Sequence, residues 1–74
     1  MNDELLRRVG ANLRRMRLQQ GLSQEEFAEM LDVHRTYVGG LERGERNLTL
    51  RSLERLAARL DLDPLVLLRR PRNS

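Results

Sequence analysis

Between Gly21 and Gly44 the chain reads GLSQEEFAEMLDVHRTYVGGLERG, two short helical periods on either side of a four-residue break, and this spacing restricts the fold more than any other feature. Ser23 and Glu26 form a capping-box pattern, in which the hydroxyl accepts from an orphan backbone N–H and the carboxylate reaches back to the cap's own N–H. A helix is therefore predicted to start at Gln24. Phe27, Ala28 and Leu31 share one face of it, Asp32 and Val33 interrupt the period, and Val38 and Leu41 resume it. The two helices thus share one apolar seam. Ala28 is small where they would cross, and Val33 is placed to plug the turn, which holds the second helix at a steep angle with its outer face free. That outer face carries His34, Arg35, Thr36, Tyr37, Gly39, Gly40 and Arg43, which are donors and small residues without an acid.

The rest of the chain extends this to an all-α fold of five helices. Leu5, Leu6, Val9, Leu13 and Met16 keep a helical period from about Asp3 to Gln20, and Gly21 stops it as a residue just past the helix end. Gly44 ends the third helix. Glu45 to Leu48 then reads as a loop that exposes Arg46 and Asn47. Thr49 can cap a fourth helix whose apolar face is Leu53, Leu56, Ala57 and Leu60. Asp63 can cap a short fifth helix to about residue 70, with Pro64 at its first position, before a frayed tail from Pro71. No repeat, linker or low-complexity stretch divides the 74 residues, so residues 1–74 are expected to form a single domain. Burial is marginal for a chain of this length, which gives association with a partner a part in stability. Four consecutive apolar residues, Leu65, Val66, Leu67 and Leu68, are too many for so short a helix to cover against its own domain. They are expected to form a two-fold homodimer interface.

Composition removes several classes of function. The sequence has no Cys and one His, His34, so neither a disulfide framework nor a thiolate metal site is available, and no metal or cofactor is expected. No apolar run approaches the roughly 18 residues of a membrane span, and the N-terminus lacks a signal-peptide core, so a cytoplasmic protein is expected. Nothing pairs a nucleophile with a base, and no phosphate-binding glycine loop is present, so no catalysis is expected. The net charge is +3, and all 14 basic residues are Arg. Guanidinium forks suit phosphate and guanine, although most arginines outside the motif are read as solvated helix surface.

At GLSQEEFA followed by LDVHRTYVGGLERG the chain resembles the Cro/repressor helix-turn-helix family, and HRTY followed by ERGERN is similar to the controller proteins of restriction-modification systems. The resemblance implies a compact lambda-repressor-like domain whose second motif helix enters the major groove while the first crosses the phosphate backbone. On the matching positions, Arg35 and Thr36 would read bases. Ser23, Gln24, His34, Tyr37, Gly39, Gly40, Arg43, Arg46 and Asn47 would contact the DNA backbone or allow its close approach. The family also implies a partly buried ion pair between Arg17 and Glu42, joining the first helix to the end of the third. Asp32 stands where the family usually has Gly, and Gly40 where repressor-type relatives often place a base-reading side chain.

The partners implied are double-stranded DNA, a second copy of the chain and RNA polymerase, with operators at the protein's own promoter and that of a restriction endonuclease. Some positions keep two readings. His34 can be a helix cap or face DNA, Tyr37 can pack on the turn or touch DNA, and the two glycines can admit DNA or neighbouring side chains. The rival function is a small helical protein–protein module, such as an antitoxin-like partner that masks another protein.

Overall fold

A computed structural model describes residues 3–71, and the tail expected to fray beyond Pro71 lies outside them. Five helices follow one another: α1 (Glu4–Gln19), α2 (Gln24–Leu31), α3 (Arg35–Glu42), α4 (Leu50–Arg59) and α5 (Pro64–Leu67). Ser23 and Glu26 form the expected capping box at α2, and Thr49 and Asp63 cap α4 and α5 through their side chains. Each of the first four helices ends with a residue at positive φ just after it, at Gly21, Asp32, Gly44 and Asp61. The chain then turns back, with Leu22 N–H donating to Arg17 O, Val33 N–H to Ala28 O, Glu45 N–H to Gly40 O and Leu62 N–H to Ala57 O. These bonds satisfy carbonyls that a helix end otherwise leaves without partners. Two of the four positions are Asp, a residue that tolerates left-handed backbone better than most.

Phe27, Ala28, Leu31, Val38 and Leu41 from the motif meet Val9 and Leu13 of α1, Leu53, Leu56 and Ala57 of α4, and Leu67 of α5 in one apolar cluster. α1 and α2 both pack on α3, while α5 lies against α1 and α4. α1 and α3 approach closely at their crossing. A Cβ at Gly10 would lie 2.1 Å from the Leu41 carbonyl oxygen and 2.9 Å from that of Glu42, so this crossing admits no side chain there.

Asn12, two residues after Gly10 in α1, is 1% exposed, and its amide donates to the carbonyl oxygens of Leu67 at 2.9 Å and Arg69 at 3.0 Å. α5 is thereby held by a side chain that satisfies its last carbonyls. That attachment revises the expectation for the C-terminus. The helix stops at Leu67 instead of residue 70, and Leu67 is fully buried in its own domain, so it is not available to a partner. Val66 and Leu68 are half-buried, and Leu65 is 65% exposed. Further unburied apolar surface lies at Leu5 and Leu50, which line a shallow groove with Leu6, Leu48 and Leu68.

Because Ala is intrinsically about 1 kcal/mol better than Gly inside a helix, Gly10→Ala would stabilise an isolated α1. In the folded chain the methyl meets backbone, and forcing α1 off α3 is expected to cost a net 1–3 kcal/mol or about that. Urea denaturation monitored by circular dichroism measures this, and an unchanged or raised midpoint would contradict the crossing.

Candidate nucleic-acid interface

α3 starts on His34, whose backbone is extended and whose Nδ1 accepts from Thr36 N–H at 3.1 Å. Accepting from this N–H, the ring nitrogen satisfies one of the orphan donors at the start of α3. The Thr36 hydroxyl lies 2.8 Å from the same nitrogen, on an exposed residue of the first turn. Arg35 is the first residue of α3 and is exposed. Together with Ser23, Gln24, Glu25, Thr36, Gly39 and Arg43 it lines an open notch between the start of α2 and the outer face of α3. The outer face of α3 carries no acid. One acidic residue of α2, Glu25, also lines the notch.

The far end of α3 is fixed by a hydrogen-bonded network. Arg17 Nε donates to Glu42 Oε2 at 2.7 Å and Arg17 Nη2 to Glu42 Oε1 at 3.0 Å, a bidentate pair, while Arg17 Nη1 donates to Leu22 O at 3.0 Å. Gln24 adds its amide to Glu42 Oε1 at 3.0 Å. The Arg17 and Glu42 side chains are 12% and 3% exposed, so the pair is largely removed from water. Burial pushes the Glu42 carboxyl up, but hydrogen bonds from Arg17 and Gln24 and the charges of Arg17 and Arg14 outweigh it and hold the group below its ordinary value. The hydrogen bond to Glu42 likewise raises Arg17 against the opposing effect of burial. The network therefore connects α1, the first residue of α2 and the last residue of α3.

The remaining positions separate into distinct environments. Ser23 is engaged in its capping box, with its hydroxyl accepting from Glu26 N–H at 3.0 Å. Arg43 Nε donates to Glu45 Oε1 at 2.9 Å, both side chains being more than half exposed. Such surface pairs contribute about 0–1 kcal/mol, so a phosphate can displace Glu45. Tyr37 is half-buried at the core margin, and the Arg46 guanidinium lies 5.5 Å from its ring centre. An exposed cation–π contact of this kind stabilises by about 0.5–1 kcal/mol. Asn47 is exposed in the following loop.

Gly39 and Gly40 are buried, and Gly39 also lines the notch. A Cβ at Gly39 would stand 3.2 Å from Arg43 Nη1, and one at Gly40 would stand 2.7 Å from Arg46 Cγ. Neighbouring arginine side chains cover them. The pattern gave no notice of Gly10 or Asn12, which fix α1 against α3 and α5. A lone Gly and a lone Asn on the apolar face of a helix were the available signals. Among the described residues no group of three or more His, Asp or Glu is placed to hold a metal ion, and no helix is long and apolar enough to cross a membrane.

A family model for helix-turn-helix domains matches residues 13–67. The chain is 48% identical over 53 residues to control protein C.SmaI of Serratia marcescens, an alignment covering 72% of this chain and 63% of that protein. It is similar in structure to the restriction-modification controller protein C.AhdI from Aeromonas hydrophila, with a TM-score of 0.71 and 45% identity over 84% of this chain and 90% of that one. A further similar structure is the controller protein C.Esp1396I, a tetramer in complex with its natural 35 base-pair operator, at a TM-score of 0.71 and 38% identity, covering 85% and 83% of the two chains.

Removing one partner of a buried ion pair strands the other, at a cost of about 3–5 kcal/mol. Arg17→Met is therefore expected to lower the melting temperature sharply, and Arg17→Met with Glu42→Leu to recover much of the loss; additive losses would show that the two side chains do not interact. The pH dependence follows from the same pair. A glutamate held low in the folded state stabilises above its unfolded value of about 4.3, and that contribution is lost as pH falls through the folded value. Stability of the native chain should fall as the pH drops from about 4.3 through the lower folded value, and more steeply than in Glu42→Gln.

Proposed function

The chain belongs to the helix-turn-helix family, and from that premise we propose that it is a sequence-specific double-stranded DNA-binding regulator, a homodimeric controller protein of a restriction-modification system. The observation that carries this reading is the outer face of α3, where exposed Arg35 and Thr36 stand on a capped helix end that carries no acid. A guanidinium at the N-terminal end of such a helix can donate two bonds to guanine O6 and N7 in the major groove, while Thr36 supplies an acceptor. Gln24, Arg43, Arg46 and Asn47 flank these residues with donors for phosphate, which set register without reading sequence. His34 and Ser23 act through the helix starts they cap.

One helix with one strong base-reading side chain discriminates too little among genomic sites. Two copies related by a two-fold axis read successive major grooves about 34–36 Å apart on a pseudo-palindromic site. Leu65, Val66 and Leu68 remain the proposed dimer surface, with Leu67 withdrawn into the core. The exposed Leu5 and Leu50 beside Leu68 extend it. The regulator would act in the cytoplasm at its own promoter and that of a restriction endonuclease, meeting RNA polymerase there.

Arg35→Ala should reduce the preference for DNA upstream of the gene over a scrambled duplex by about 1–3 kcal/mol, roughly five- to 150-fold, with the circular dichroism spectrum unchanged. Equal losses on both duplexes would make Arg35 a phosphate contact. Sedimentation should find a dimer at micromolar concentration that Leu65→Asp or Val66→Asp converts to a folded monomer. A dimer indifferent to both substitutions would remove the proposed surface.

A further inference from the structure

Gly40 stands one turn after Tyr37 on the same face of α3, and the loop after the helix folds back across it. The fold-back is fixed by backbone bonds. Gly44, at φ 72°, donates its N–H to Leu41 O at 3.0 Å, and Glu45 donates to Gly40 O at 2.9 Å, which brings Arg46 over the helix it has just left. The Arg46 side chain then runs along the bare backbone of Gly40. A Cβ at residue 40 would lie 2.7 Å from Arg46 Cγ, 3.0 Å from Nε and 3.4 Å from Cδ. At the end of this path the guanidinium meets the Tyr37 ring. Cγ lies near the start of the arginine side chain, so a methyl at residue 40 cannot be accommodated by moving the tip alone. Gly39 differs in this respect, since its nearest neighbour is the flexible end of Arg43, at 3.2 Å.

We propose that Gly40 is a positioning residue for DNA binding: its missing side chain forms the seat in which Arg46 is held against Tyr37, so that a loop arginine is presented from the outer face of the recognition helix. This rests on the DNA-binding reading above and deepens it. Gly in a helix interior is unfavourable relative to Ala, so the position works against the local stability of α3 while ordering a side chain with many rotamers. An arginine already confined in the free protein loses less freedom when it meets the anionic backbone, and the immobilisation of one such side chain corresponds to about a two- to tenfold change in affinity. Arg46 also takes the place over α3 that a longer residue at position 40 would fill with its own side chain.

The test compares native chain, Gly40→Ala, Arg46→Ala and the double variant, each as the full chain, on the upstream duplex and on a scrambled duplex of equal length. Gly40→Ala should melt no lower than the native chain, yet bind the upstream duplex about two- to tenfold more weakly. The double variant should bind no more weakly than Arg46→Ala alone, since the two substitutions disable one device. In the free protein, the Arg46 side-chain protons should be shifted upfield by the Tyr37 ring in nuclear magnetic resonance spectra, and Gly40→Ala should abolish that shift. Unchanged binding by Gly40→Ala would overturn the proposal, as would a multiplied loss in the double variant, which would mean that the methyl itself obstructs DNA. Retention of the ring shift in Gly40→Ala would overturn the seat. A native chain that binds both duplexes equally, with the seat intact and the same pattern among variants, would instead overturn the sequence-specific reading and leave Gly40 as a positioning residue for phosphate contact.

Discussion

The contact on which the other parts of this molecule depend is the crossing of α1 over the end of α3. Backbone meets backbone at Gly10, whose Cβ position is occupied by the carbonyl oxygens of Leu41 and Glu42, and two turns further along α1 the Arg17 guanidinium takes both oxygens of Glu42. The first contact sets how close the helices come. The second sets their rotation, because a bidentate pair tolerates little angular error. An apolar seam alone would leave α3 free to slide along Phe27, Ala28 and Leu31 of α2, since dispersion and burial are not directional. With α3 fixed at its end and capped by His34 at its start, the orientation of Arg35 and Thr36 follows.

The same network reaches the surface. Gln24 donates to Glu42 and also lines the notch that Arg35 faces, so the residue expected to meet phosphate is oriented by the buried pair. Glu42 is a carboxylate at the end of the helix proposed to face DNA, and its two oxygens are taken up by the Arg17 guanidinium and the Gln24 amide. Arg43 and Arg46 extend the basic surface beyond the helix by lying over Gly39 and Gly40. Charge on this face is thus carried by side chains with defined supports, which is the condition for orienting a duplex as well as attracting it.

Much of this was legible in the residues. Ser23 with Glu26, the break at Asp32 and Val33, and the stop residues Gly21 and Gly44 place α2 and α3 because capping and chain reversal are local chemistry, decided by residues within one turn of each other. The caps at Thr49 and Asp63 were readable for the same reason. Tertiary closeness was not. Gly10, Asn12 and Asp61 owe their importance to partners across the fold or to a backbone conformation that a polar residue only permits, and a period of apolar residues carries no information about either. The run Leu65 to Leu68 was legible in part: Leu65 is left exposed as the count of apolar residues indicated, but Asn12 of α1 anchors α5 and Leu67 enters the core. Gly40 was visible as an oddity in a helix, and its neighbour Arg46 became apparent only once the loop was seen to fold back.

Two copies of α3, held in a fixed relation, are proposed to read a two-fold symmetric DNA sequence. Selection of bound duplexes from a random pool by the purified full chain, followed by sequencing, tests this reading most directly. An enriched inverted repeat is expected, with a guanine in each half-site at the position facing Arg35 and half-site centres about 10–10.5 base pairs apart. Recovery of a single unrepeated element, or of no enriched sequence at all, would contradict it.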